Sequence, residues 1–216
     1  LFKKIETKKI YKVNTMKLIW LSLWNYPFDP RIHTLGNRSE LHAKIAPYFT
    51  RFIDKVVYGT DVRALETKTT LDFGCGTGIS TSPIGLGIDT SPEMLQEAKR
   101  LFPEKRFDYG NAENYEPPFP IEIVTCMFLL HEVPREYREK ILNNAYRIAN
   151  EKVVVIDICP TYRPSKMMLL GEPYIEDYLK HIETDLKDFE VKVLVEGHVY
   201  KWTWCRNSKI SFHQVE

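Results

Sequence analysis

Cysteine is scarce in the 216-residue sequence: Cys75, Cys126, Cys159 and Cys205 stand far apart, with no CxxC pair. Zinc sites announce themselves by close cysteine pairs with nearby histidines, so no metal is expected. Three of the four cysteines fall at the ends of expected inner strands, where a free thiol behaves as a small buried hydrophobe, and a reducing compartment follows. Net charge is also missing. Thirty basic against 29 acidic residues leave +1, which indicates neither a nucleic-acid nor an anionic-membrane partner. No stretch approaches the roughly 20 apolar residues of a membrane span. Residues 18–24, LIWLSLW, imitate the apolar region of a signal peptide. They are short, however, and Asn25-Tyr26-Pro27 follows without a small-residue cleavage site. The expectation is a soluble, cytoplasmic protein without internal repeats or low-complexity segments.

What the sequence does hold is 44% apolar and 27% charged residues, enough for a sizeable core and too apolar for disorder. The length suits one α/β domain with a short extension. Lys3, Lys4, Lys8, Lys9 and Lys12 precede the first methionine, Met16, so residues 1–15 read as a flexible basic tail or an upstream remainder. Residues 38–57 place Leu41, Ile45, Tyr48, Phe49, Phe52, Ile53 and Val56 at steps of three and four, one face of a helix. From residue 69 the pattern changes to short apolar runs at 69–73, 84–88, 121–127 and 152–158, with a weaker one at 106–109. Near-continuous apolar runs separated by helical stretches predict parallel strands in a doubly wound sheet. Thr90-Ser91-Pro92-Glu93 is a helix start, with a hydroxyl cap, a first-turn proline and an acid near the positive end. Further helices are expected over 135–149 and 172–187. A hairpin is expected from Glu190–Glu196 and Tyr200–Arg206 around Gly197-His198.

The chemistry begins at Leu71-Asp72-Phe73-Gly74-Cys75-Gly76-Thr77-Gly78, a strand running into glycines at alternate positions. Glycine is needed where the chain turns with unusual dihedrals or a ligand approaches the backbone. The spacing is G-x-G-x-G, not the dinucleotide G-x-G-x-x-G, and the phosphate-binding G-K-[ST] ending is absent. Next, Gly85-Leu86-Gly87-Ile88-Asp89 ends a strand in a carboxylate, where such folds accept ribose hydroxyls. Gly110-Asn111-Ala112-Glu113 follows the weak strand as a loop suited to an adenine edge. Last comes Val124-Thr125-Cys126-Met127-Phe128-Leu129-Leu130-His131-Glu132-Val133-Pro134, a buried strand that opens into polar residues.

This ordered set resembles the class I S-adenosylmethionine (SAM)-dependent methyltransferases, and especially the small domains similar to the C-methyltransferases of quinone biosynthesis. The resemblance covers about residues 69–160. It implies an α/β, Rossmann-like, doubly wound sheet of seven strands, ordered 3-2-1-4-5-7-6, with the last strand antiparallel. The domain would occupy 16–216: a cap segment and helix (18–60), the SAM-binding core (69–160), then a helix and β-hairpin (161–216). It also implies that Gly74, Gly76 and Gly78 line the methionine part of SAM, with Asp72 on the cofactor side of their loop. Asp89 with the adjoining Thr90 would take the ribose, Asn111 and Ala112 the adenine, and Met127 with Phe128 the pocket floor. The family often has an acid where Asn111 stands. The 15 positions from Gly74 to Asp89 are fewer than the roughly 20 such a unit commonly uses. Only Ile79–Pro83 precedes the next strand, so a loop or single turn is expected in place of the first crossover helix. Ser80, Thr81 or Ser82 would then supply contacts that the helix N-terminus normally makes.

Several residues carry a structural reading beside the functional one. Gly85 and Gly87 also fit relief of crowding; His131 and Glu132 also fit a helix start; His33 also fits an anchor for the N-terminal segment. Trp202 and Trp204, two apart on a strand, share a face and read as core or interface. Methyl transfer from a sulfonium is an in-line displacement, needing a general base only when the nucleophile must lose a proton. His131 is the expected base, with Glu132 and His33 behind it. A small-molecule methyl acceptor is expected, under a roof formed by 18–40 and 160–180. The alternative is a SAM-binding regulatory or partner subunit without methyl transfer of its own. A nicotinamide dehydrogenase is disfavoured by the glycine spacing. The sequence leaves the oligomeric state open.

Overall fold

The computed structural model describes residues 40–59, 63 and 68–206. The expected tail, the signal-like stretch, His33 and the 18–39 part of the expected roof lie outside them. A helix, α1 (Glu40–Phe52), runs through Pro47 into a π-helical turn at Ile53–Val57. Alternation then begins with β1 (Thr70–Phe73), β2 (Leu86–Asp89), α2 (Pro92–Leu101), β3 (Arg106–Tyr109) and β4 (Ile121–Met127). A 3₁₀ turn at Leu130–Glu132 leads into α3 (Arg135–Ile148) and β5 (Ala149–Ile158). The chain continues through α4 (Lys166–Gly171), α5 (Ile175–Asp185), β6 (Glu190–Val195) and β7 (Val199–Cys205).

The strands form one sheet in the order β3-β2-β1-β4-β5-β7-β6. Pairings from β3 through β5 are parallel, and β7 runs antiparallel to both β5 and β6. This is the Rossmann-like strand order, with its antiparallel last strand, that the resemblance implies. The continuous apolar runs are explained by burial: every residue of β1 and β2 is buried. Leu71 sits opposite Leu86 on one side and Val124 on the other, which fixes the register of the central strands. The main core gathers Leu71, Phe73, Val124, Val153 and Trp202 with Ile141 of α3 and Ile182 of α5. Trp202 is buried and Trp204 packs at the margin of the same cluster. Cys75, Cys126 and Cys159 are buried thiols, while Cys205 is exposed.

One helical expectation is corrected. The helix expected over 172–187 starts at Ile175, because a separate short helix, α4, ends at Gly171. Within the apolar face of the first helix, Ile45, Tyr48 and Phe52 are 45%, 68% and 54% exposed. The helix buries Ala43 and Pro47, and small side chains there allow close approach to the domain.

The first crossover is helix-free, as its length requires: turns alone carry residues 74–85 from β1 to β2. The loop folds onto β2 at Gly87. A Cβ there would stand 2.7 Å from Thr81 Oγ1 and 2.9 Å from Cys75 Sγ. Below it Asp72 is buried and accepts three hydroxyl bonds, from Ser80 (2.8 Å), Thr81 (2.8 Å) and Thr125 (2.9 Å). Burial raises the Asp72 pKa, and the three hydroxyls act against that rise. Two of them come from the crossover, so one carboxylate ties the loop to the sheet.

Asp72→Ala is therefore expected to lower stability by about 2–4 kcal/mol, since it removes charge-assisted bonds and leaves buried hydroxyls unpaired. Urea unfolding checks it. A loss under about 1 kcal/mol would mean that packing of Thr81 on Gly87, and not the carboxylate, holds the crossover.

Candidate cofactor and acceptor site

The carboxyl ends of β1, β2, β3 and β4 open on one cleft. Its walls include Gly74, Gly76, Ser80, Asp89, Thr90, Gly110, Ala112, Met127 and Phe128. Ligands bind at this edge in open α/β sheets, where the strand order reverses on either side of the first strand. Gly76 has φ +52°, and nothing lies within 4 Å of where its Cβ would be. A side chain there would be strained and would project into open space, so glycine keeps backbone accessible to a ligand.

Asp89 is the hinge of the cleft. One carboxylate oxygen accepts from the Gly76 amide (2.9 Å) and the other from the Ser91 amide (2.8 Å). It thus joins the glycine loop to the start of α2, where Ser91 Oγ caps the helix by accepting from the Met94 amide (3.2 Å). An ionised carboxylate offers about four acceptor positions, and two of them are taken by these backbone amides.

At the end of β4, Phe128 adopts φ +56°, rare for a bulky side chain, while its amide donates to Ile156 (2.7 Å). Strain of this kind concentrates at ligand sites. The turn that follows is organised by Asp157 at the end of β5. Asp157 is fully buried and accepts from the Leu130 amide (2.9 Å), the Ile158 amide (2.8 Å) and the His131 ring (2.6 Å to Nδ1). Arg138, also buried, donates to the Val133 carbonyl (2.8 Å) and pairs with Asp177 (2.7 Å), which clamps the same turn to α5.

Of the expected cofactor residues, Gly74, Gly76, Asp89, Thr90, Ala112, Met127 and Phe128 meet in the cleft. Three are placed elsewhere. Asp72 faces the crossover hydroxyls below the loop, so it supports the loop and does not line the cleft. Gly78 turns under it, where a Cβ would stand 2.5 Å from the Phe107 ring. Asn111 folds onto its own loop and accepts from the Glu113 amide (3.0 Å), leaving Gly110 and Ala112 at the wall. The crossover hydroxyls of Ser80 and Thr81 likewise turn inward to Asp72, although Ser80 also borders the cleft.

His131 differs from its expected state. Burial alone would lower its pKa, but the Asp157 charge and hydrogen bond outweigh that and push it up to about 9. At neutral pH the ring therefore holds a proton, and Glu132 is the member of the pair that borders the cleft. Burial, then the nearby Glu172 carboxylate, holds Glu132 well above the ordinary carboxylate range; burial also raises Glu172. Three wall residues were not singled out from sequence: Ala46, Thr50 and Arg63. The Arg63 guanidinium lies 4.3 Å from the centre of the Phe128 ring and donates to Asp54 (3.0 Å). No local pattern links these three to the glycine loop: Ala46 and Thr50 come from α1, and Arg63 lies beyond the π-helical turn that follows it.

Residues 70–152 match the family model described as "Methyltransferase domain". The trans-aconitate 2-methyltransferase of Afipia carboxidovorans is 32% identical over 78 residues, covering 32% of this chain and 30% of that protein. The ubiquinone biosynthesis O-methyltransferase of Nitrosomonas europaea is 32% identical over 107 residues, 42% of each. The chain thus spans about a third of the length of the first curated relatives it matches. Among solved structures, a SAM-dependent methyltransferase of Thermotoga maritima superposes with TM-score 0.53 at 16% identity, over 76% of this chain and 96% of that one. That likeness concerns the fold alone.

Because Asp89 holds two backbone amides in the ligand-free protein, Asp89→Ala is expected to destabilise the empty fold by about 1–3 kcal/mol. A denaturant midpoint unchanged from wild type would show that the Gly76 and Ser91 amides find other partners.

Proposed function

We propose that this protein is a SAM-dependent methyltransferase that transfers the methyl group to a small-molecule acceptor. One observation carries the reading: the glycine loop, Asp89, the Gly110–Ala112 loop and the strained Phe128 converge on one cleft in the order of their strands. SAM supplies a sulfonium methyl whose leaving group is already activated. The chain's task is then to hold acceptor and donor in line and to exclude water, which in favourable cases supplies about 7–11 kcal/mol.

Each wall has a part in that task. The amides around Gly74 and Gly76 would border the methionine portion, and Arg63 is the cation placed to pair with its carboxylate. Asp89, at the end of β2, would face the ribose, and Gly110 and Ala112 would border the base. Met127 and Phe128 would form the floor beneath the sulfur. Glu132 would stand on the acceptor side, where burial holds its carboxyl well above the ordinary carboxylate range. The two named relatives, acting on trans-aconitate and in ubiquinone biosynthesis, favour a small acceptor over a macromolecule.

Calorimetric titration of the folded protein with SAM and S-adenosylhomocysteine tests the cofactor half of the reading. Both are expected to bind, and Asp89→Ala is expected to weaken both at least about tenfold. Equal affinity in wild type and variant would remove Asp89 from the ribose. Release of S-adenosylhomocysteine in the presence of a panel of small organic acids, phenols and amines tests the transfer half. Absence of turnover with SAM bound would favour a cofactor-binding partner subunit.

A further inference from the structure

At the edge of the cleft, Glu132 belongs to a group of side chains that has a second use. His131, Glu132 and Glu172 each present one ligand atom, and these atoms lie within 4.8 Å of one another. They reach this point from separate elements: His131 and Glu132 from the 3₁₀ turn after β4, Glu172 from the residue that ends α4. The cysteine spacing gave no hint of such a set, because it contains no cysteine and its third member is 40 positions downstream of Glu132.

The imidazole is what separates this group from an ordinary acidic cluster. The His131 side chain is only 8% exposed, and its Nδ1 is occupied by Asp157 at 2.6 Å. No described residue bonds its Nε2, so Nε2 is the nitrogen left to face a ligand. Phe128 and Tyr178 hold the ring edge-on from two sides, with centroids 6.5 and 6.1 Å away. Asp157 in turn is fixed by the Leu130 and Ile158 amides, so ring and carboxylate are locked together. A metal-bound histidine characteristically donates its other ring N–H to such a carboxylate, which fixes the tautomer and strengthens the ligand.

We propose that His131, Glu132 and Glu172 form a binding site for a divalent first-row transition-metal ion of the Mn²⁺ or Zn²⁺ kind, with Asp157 as the outer carboxylate. One nitrogen and two carboxylate oxygens suit these ions better than Mg²⁺ or Ca²⁺, which favour oxygen-only shells. Once the ion displaces the proton from Nε2 and those that burial favours on the two acids, two carboxylates and an imidazole match it in charge, so binding releases protons. An organic ammonium is the rival occupant. It would be served by the carboxylates, but it would compete with the imidazole for its own protons.

The site can be tested without reference to methyl transfer. Chelator-treated protein is titrated with Mn²⁺, and the loss of the free-ion electron paramagnetic resonance signal is followed. One ion per chain is expected to bind below about 1 mM, and Glu132→Gln and Glu172→Gln are each expected to weaken it at least about tenfold. Circular dichroism on each variant confirms that the fold is kept. No binding to wild type, or equal binding to wild type and both glutamine variants, overturns the proposal. So does protection by methylammonium without any Mn²⁺ uptake, which would assign the group to a cationic acceptor. SAM binding to the wild type is measured separately, so failure of one reading leaves the other standing.

Discussion

The carboxylate of Asp72 is the constraint on which the site rests. A doubly wound unit normally supports its first loop with a crossover helix, and this chain has no room for one. Asp72 replaces that support by accepting Ser80 and Thr81 from the crossover and Thr125 from β4. Taking a carboxylate out of water is costly unless it is fully bonded, so the arrangement stands only with all three hydroxyls in place. Once the loop is held, Gly76 can meet Asp89, and Asp89 can meet the first turn of α2. Loop, the end of β2 and helix start are then one connected piece of structure.

Asp157 does for the acceptor side what Asp72 does for the cofactor side. Both are buried at the carboxyl edge and both are satisfied by donors from a neighbouring loop. Asp157 fixes the Leu130–His131 turn, and Arg138 fixes its far end through the Val133 carbonyl. The strained Phe128 backbone sits between these anchors, which together over-determine it. Pre-organisation of this kind suits a reaction whose catalysis is mainly positioning, because the groups do not need to be ordered when the substrates arrive.

The strands and the missing crossover helix were legible because each left a local mark, whereas the strand order came from the resemblance alone. Apolar runs such as 121–127 announce buried strands, and five residues between motif and strand cannot hold a helix. Asp89 was legible because strand and carboxylate adjoin. Asp72 was noticed but its direction was not, since alternation along a strand buried on both faces does not tell a loop-facing acid from a ligand-facing one. The Asn111 side chain is short enough to close a turn on Glu113, a local bond that competes with any ligand. Arg63 and Glu172 were invisible. Their roles follow from contacts between segments that no spacing connects.

The helix-free crossover also changes where recognition of a nucleoside would originate. A crossover helix would offer amides and a positive dipole end at the glycine loop. Here the loop offers amides alone, and one of them, on Gly76, is already bonded to Asp89. The start of α2 is the nearest helix end, and Asp89 and Glu93 occupy it with negative charge. That is unfavourable for an anion such as phosphate, and it suits a ligand with hydroxyls on this side and a positive sulfur farther along. Charge preference in the cleft therefore follows from the shortened loop itself: a dinucleotide would meet carboxylates where it needs donors, and a sulfonium nucleoside would not.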